Sequence, residues 1–216
     1  MNHRLSPSIL NSDFLELKKN IRMLNESEAD WIHLDIMDGV FVPNLTFGFP
    51  IIKQIKSVAE KPLDVHLMIV HPEKYLERYK EVGADILTVH YEACDDLSAT
   101  LSEIKSLGMK ASVSVKPATP VEVLEPFLHQ LEMVLIMTVE PGYGGQAFIE
   151  ASYERIRQLK ALIQKAGSQT LIEVDGGVGP DNLKQLKEAG VDVFVVGTTI
   201  FKNEDPPKMI RLLKGM

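Results

Sequence analysis

Two kinds of apolar pattern alternate along the chain. Short runs rich in Val, Ile and Leu are followed by longer stretches in which apolar residues recur every three or four positions. The first kind suits a strand buried on both faces, the second a helix with one buried stripe. This reading predicts strands at 4–10, 31–37, 63–69, 85–91, 110–115, 132–139, 170–175 and 192–197, each followed by a helical pattern or a short helix. The stretch 13–27 shows the helical kind: Asp13 can cap it, Glu16 sits three residues on, and Leu17, Ile21 and Leu24 form one apolar stripe. Gly83, Gly108, Gly167 and Gly190 fall shortly before strands, where a helix must end and the chain reverse.

Parallel strands joined by crossover helices need both sheet faces covered, and eight such units in this length suit a closed barrel. The expected fold class is therefore α/β, a single (β/α)8 TIM barrel over residues 1–216, with no linker or low-complexity segment to divide it. An open, doubly wound sheet is the alternative. It would concentrate unusual polar residues at one switch point. Here they gather at the C-terminal ends of strands one, two, three, six, seven and eight.

Composition narrows the partners. Lys and Arg total 23 against 30 Asp and Glu, a net charge of −7, so no broad basic surface is expected for nucleic acid or anionic lipid. A small-molecule ligand is the better expectation. The only cysteine, Cys94, excludes a disulfide framework and any cysteine-rich metal site, and it reads as a buried or half-buried thiol without assigned chemistry. With no signal-peptide core and no apolar run long enough to span a bilayer, a cytoplasmic location is expected.

Strand alternation places His33, Asp35 and Met37 on one face of the second strand, and His66 and Met68 on one face of the third. Asp175 ends the seventh, just before Gly176 and Gly177. Two imidazoles and two carboxylates converging at a barrel mouth would suit zinc, iron, manganese or cobalt, with positions left open for substrate. Each residue alone also has a plainer reading, a hydrogen-bonded core histidine or a capping aspartate, and spacing does not choose between them. His90 is a rival ligand by position but reads better as a satisfied barrel histidine. His3, His71 and His129 need only solvent-facing or capping roles.

Met37, Met68 and Met137 are expected to point inward near the mouth, either as core filler or as a water-poor floor. Pro141-Gly142-Tyr143-Gly144-Gly145-Gln146 follows strand six and can close over a ligand. The loops after strands seven and eight carry Gly176, Gly177, Gly197 and Thr198. In this barrel type those loops form the usual phosphate site, held by backbone N–H groups.

Taken together, Ser6-Pro7-Ser8-Ile9-Leu10, the run from His33 to Gly39, Val42-Pro43-Asn44, Asp64-Val65-His66-Leu67-Met68, the run from Met137 to Gln146 and Glu173-Val174-Asp175-Gly176-Gly177 resemble the ribulose-phosphate 3-epimerase family. The similarity runs over nearly the whole chain, and its motifs are long and in family order. It implies one divalent metal, zinc first and Fe2+, Mn2+ or Co2+ as alternatives, on His33, Asp35, His66 and Asp175. Asp35 and Asp175 would also be the two acid/base groups. Ser8 and His66 would contact substrate near the metal, and Gly142, Tyr143, Gly144, Gly145, Gly176, Gly177, Gly197 and Thr198 would line the substrate and its phosphate. The family often has Ser where this chain has Thr198. The implied reaction interconverts D-ribulose 5-phosphate and D-xylulose 5-phosphate in a homo-oligomer, dimer or hexamer. A six-carbon 2-ketose phosphate such as allulose 6-phosphate is the nearest alternative substrate. A sugar-phosphate decarboxylase and a non-catalytic phosphate-binding barrel are more distant readings.

Overall fold

The computed structural model describes residues 3–216. Eight strands form one sheet: β1 (Arg4–Pro7), β2 (Ile32–Met37), β3 (Leu63–Met68), β4 (Ile86–His90), β5 (Lys110–Val115), β6 (Met133–Met137), β7 (Leu171–Asp175) and β8 (Val193–Val196). They run in the order β1-β8-β7-β6-β5-β4-β3-β2, every neighbouring pair parallel. The remaining seam, between β1 and β2, is closed by a bridge from Ser8 to His33. Beneath it the N–H groups of Asp30 and Trp31 both reach Leu5 O, at 2.9 and 3.3 Å. The sheet is a barrel, not an open doubly wound layer.

Helices cover its outside: α1 (Leu17–Glu26), α2 (Phe49–Lys56), α3 (Leu76–Glu81), α4 (Leu97–Ser106), α5 (Ser152–Ala166), α6 (Pro180–Ala189), α7 (Thr198–Phe201) and α8 (Pro206–Gly215). Between β5 and β6 the cover is a 3-10 segment, Val121–Gln130, with Pro126 inside it. Proline lacks the N–H that a regular α-helix would use there. Two other expectations are corrected. The first strand stops at Pro7, because the Ser8 hydroxyl accepts the Leu10 N–H at 3.3 Å and turns Ile9–Asn11 into a short 3-10 helix. Asp13 does cap a helix start, but of a 3-10 turn over Phe14–Glu16 that precedes α1.

The principal core lies between the outer face of the sheet and the helices, and includes Leu34, Val65, Val113, Ile136, Val174 and Phe194. Inside the barrel, side chains stack in layers from alternate strands. The lowest layer is an apolar plug of Trp31, Ile86, Met133 and Val193. Above it the register brings Ser6, Asp64, Ser112 and Glu173 from the odd strands, all fully buried. A middle layer of polar groups replaces the branched apolar residues usual at this depth. It supports what stands above.

At the opposite rim, aspartates just before β2, β4 and β8 clamp neighbouring strands. Asp30 accepts from Leu5 N at 2.7 Å, Asp85 from Leu63 N at 2.8 Å and Asp192 from Ile172 N at 3.0 Å. A helix lysine pairs with each: Lys214, Lys56 and Lys160. His3, for which a solvent-facing or capping role was expected, is buried, with Nε2 3.0 Å from Leu213 O in the last turn of α8 and its ring edge-on to Phe194. It fastens α8 to the barrel. His71 and His129 are exposed, and Cys94 is half-buried, its thiol pushed up to about 12 chiefly by burial.

Candidate active site

The C-terminal ends of the strands open into a cavity of about 350 Å³. Ser8, Asp35, Met37, Met68, Met137 and Asp175 line its floor and walls, and Gly142–Gly145, Gly176, Gly177, Gly197 and Thr198 line its upper end. Each is a candidate position in the sequence, whereas His66, also expected to touch substrate, is fully buried and does not line the cavity. Met37 and Met68 pack together with Val42, whereas Met137 packs with Leu135 and Val139. The methionines therefore form two apolar patches on opposite sides of the mouth and not one floor.

His33, Asp35, His66 and Asp175 come together below the cavity, one donor atom from each lying within 4.8 Å of the others. His66 Nδ1 is 3.2 Å from Asp35 Oδ1 and 3.9 Å from Asp175 Oδ2, and His33 Nε2 is 3.3 Å from the same Asp35 oxygen. These spans are those of donor atoms about 2.0–2.2 Å from a common cation. His33 Nδ1 is 2.7 Å from Asp64 Oδ2, which also accepts the Ser6 hydroxyl at 2.9 Å. With a cation bound, Asp64 would hold the proton of a neutral His33 on Nδ1 and leave the Nε2 lone pair to the metal. That Nε2 is buried without a hydrogen-bond partner. A divalent cation is the group this donor set fits.

Charge is unevenly shared. Burial works against ionising Asp35, but His33 and His66 outweigh it and hold the carboxyl well below its usual range. Asp175 goes the other way, pushed up to about 7 by burial and by the nearby Asp35. Burial likewise opposes a charge on His33, yet Asp64 and Asp35 raise its pKa well above the ordinary value. The Ser8 hydroxyl donates to Asp35 Oδ2 at 2.6 Å and orients that carboxylate.

His90 is not one of the four converging residues. Its Nε2 lies 2.9 Å from His66 Nε2 and its Nδ1 3.2 Å from Glu92 Oε2, so both ring nitrogens are engaged away from the centre. Burial lowers its pKa to about 4, against the opposing bond to Glu92.

The loop after β6 is braced. Asn44 Nδ2 donates to Gly142 O at 2.8 Å, Tyr143 Oη donates to Pro43 O at 2.8 Å, and Gln146 Nε2 donates to Glu140 O at 2.7 Å. At the other side, Gly177 has φ +67°, and a Cβ there would stand 2.6 Å from Phe148 N. Only glycine allows that approach. Thr198 Oγ1 is buried without a partner beside this glycine rim.

Three residues escaped the sequence reading. Asp64 and Glu173 sit two positions before His66 and Asp175, so the same alternation could have placed them inward. Asn11 lines the cavity between two glycines: a Cβ on Gly144 would be 2.4 Å from its Nδ2, and one on Gly197 2.4 Å from its Oδ1. No spacing signal reaches Asn11, because the 3-10 turn that delivers it was read as strand and loop.

A sequence model of the Ribulose-phosphate 3 epimerase family matches residues 4–201. The ribulose-phosphate 3-epimerase of Bacillus subtilis (strain 168) is 43% identical over 213 residues, 98% of either chain. The enzyme of that name from Synechocystis is 46% identical over 199 residues, 91% of this chain and 86% of that one. The chloroplastic ribulose-5-phosphate-3-epimerase of Arabidopsis thaliana is 42% identical over 213 residues, 98% of this chain and 76% of its own. Among solved structures, KGPDC from Streptococcus mutans superposes with a TM-score of 0.75 at 15% identity, covering 100% of this chain and 97% of that one, which speaks for the barrel fold alone. With relatives this similar end to end, the chain belongs to the ribulose-phosphate 3-epimerase family and is an epimerase.

Proposed function

We propose that the protein interconverts D-ribulose 5-phosphate and D-xylulose 5-phosphate by two-base proton transfer at C3, with one divalent cation, zinc first, on His33, Asp35, His66 and Asp175. The observation that carries this reading is the convergence of those four donors beneath a cavity whose far end is rimmed by glycines. The chain would act as a single barrel unit, in the cytoplasm, as a homo-oligomer of two or six copies.

Inverting C3 of a 2-ketose means removing a proton beside a carbonyl and returning one to the opposite face. The C3–H electron pair moves into the C2–C3 bond and charge develops on the C2 oxygen. A bound cation would supply Lewis-acid stabilisation of that charge. Asp35, kept ionised, takes the proton in one direction, and Asp175, with its raised pKa, delivers one from the other side. Each turnover exchanges their roles. The methionine patches and the braced loop after β6 keep water from the planar intermediate. Backbone N–H groups of the glycine loops and the Thr198 hydroxyl would hold the phosphate.

The test is an assay on ribulose 5-phosphate in heavy water with protein of measured metal content. Deuterium should appear at C3 of the product, and elemental analysis should show one metal per chain that His66→Ala loses. Full retention of the original C3 hydrogen would overturn the two-base roles. Faster turnover of allulose 6-phosphate would move the substrate to the six-carbon sugar.

A further inference from the structure

The two ring nitrogens of His66 have different tasks. Nδ1 faces Asp35 and Asp175, at 3.2 and 3.9 Å, and is the nitrogen that looks into the proposed cation site. A ring nitrogen that binds a cation offers its lone pair, so the proton of the neutral imidazole must sit on Nε2. That nitrogen lies 2.9 Å from His90 Nε2. One proton serves the pair, so His90 accepts there and carries its own proton on Nδ1. His90 Nδ1 in turn faces Glu92 Oε2 at 3.2 Å.

Glu92 is itself fixed. Its Oε1 accepts the Lys116 N–H at 2.8 Å and the hydroxyl of Thr119. Both histidines are fully buried and meet edge to edge, ring centroids 5.0 Å apart and 30° between planes, and Phe41 packs on His90 at 4.7 Å. Neither ring has room to turn toward another partner. The chain of bonds therefore has one polarity compatible with a cation: His66 donates to His90, and His90 donates to Glu92. Reversed, it would put a proton on His66 Nδ1, where the cation should be.

We propose that His90 and Glu92 are positioning residues that set the tautomer and ring orientation of His66, presenting Nδ1 as a lone pair to the cation. The proposal rests on the metal reading above. Asp64 does for His33, through its Nδ1, what Glu92 does for His66 through an intervening ring. The sequence signature is the His-x-Glu that ends β4, His90-Tyr91-Glu92.

The test measures Zn2+ affinity by chelator competition, Co2+ absorption spectra, and melting of the chelated proteins. His90→Leu removes the acceptor and should weaken Zn2+ about 10- to 100-fold, the usual effect of losing a group that orients a metal-bound histidine. His90→Gln keeps an oxygen to accept and an NH2 to donate, and should recover most of that loss. The Co2+ spectrum should change in His90→Leu and return in His90→Gln. Glu92→Leu against Glu92→Gln gives the same contrast one step further out and serves if His90→Leu does not fold. Wild-type Zn2+ affinity in His90→Leu, or Gln and Leu variants equally weak while their chelated forms melt like wild type, would overturn the proposal. A wild-type protein that binds neither Zn2+ nor Co2+ would overturn the metal reading itself, a result distinguishable from both.

Discussion

At the scale of the residue, the proposed chemistry rests on two carboxyl groups whose pKa values their surroundings move in opposite directions. Asp35 is held ionised between two imidazoles, and Asp175 is half-buried near that carboxylate. Asp175→Asn should lower turnover at least about 100-fold even where metal is retained, the lower end of what a positioned acid/base group contributes. Steady-state rates in both directions on metal-loaded variant check this, and near-normal turnover would remove Asp175 from the mechanism. Gly197 carries a different expectation. A Cβ there would stand 2.4 Å from Asn11 Oδ1, so a side chain would displace Asn11 from the cavity wall. Gly197→Val should raise the KM for ribulose 5-phosphate at least about tenfold, the equivalent of 1.4 kcal/mol of lost binding, while leaving metal content intact. These assignments differ in how legible they were. Alternation along the strands pointed to His33, Asp35 and His66, and the same rule reached Asp64 and Glu173 had it been carried two residues back. Asn11 obeyed no periodicity, because a serine cap and not a strand delivers it.

At the scale of the element, the strand ends are held by donors and acceptors from the layer outside. Arg155 of α5 donates to Met137 O at 3.1 Å, Lys116 O at 2.9 Å and Thr119 O at 3.1 Å. One guanidinium thus ties the exits of β5 and β6 and steadies both Met137 in the cavity wall and Thr119, which holds Glu92. Losing bonds from a charged donor costs about 1.5–3 kcal/mol each at most, and water can replace some of them. Arg155→Met should therefore destabilise the protein by about 2 kcal/mol, read as a lower urea midpoint with an unchanged slope. No shift in the midpoint would mean that solvent satisfies these carbonyls unaided. The sequence pattern located strands and helices well because burial sets their period. It missed where a cap or a proline overrides that period, as at Ser8 and Pro126.

At the scale of the whole molecule, the proposed cation would join β2, β3 and β7 across the barrel mouth, so it should stabilise the fold as well as serve the reaction. Metal at a hundredfold excess over its Kd adds about 2.7 kcal/mol by mass action. A chelator should lower the melting temperature of wild type and leave His66→Ala unmoved. The chelated protein should also show a particular pH dependence. The folded pKa of Asp175, about 7, lies above the 3.8 of an ordinary aspartate, so the folded state holds the extra proton. Its contribution is fully present below about pH 4 and is lost as pH rises through about 7, with a slope of at most about 1.4 kcal/mol per pH unit. Glu173 and His33, both raised, act with the same sign. Comparing chelated wild type with chelated Asp175→Asn from pH 5 to 8 isolates Asp175: the variant should lose stability less steeply. Parallel curves would contradict the assignment.

Hydropathy pattern and glycine placement were enough to specify eight βα units, the barrel and the level at which polar side chains emerge, because strand period and helix stripe are local consequences of burial. The inward placement of His33, Asp35 and His66 followed from the same rule. Tertiary structure alone decided which nitrogen of each histidine faces the centre, since that depends on Asp64, Glu92 and His90, brought from other strands or held by the turn beyond them. It alone separated the methionines into two walls, set Asn11 between two glycines, and moved the pKa values of Asp35 and Asp175 in opposite directions. Those outcomes depend on distances across the barrel, and a linear pattern carries no information about separation between strands that close into a ring.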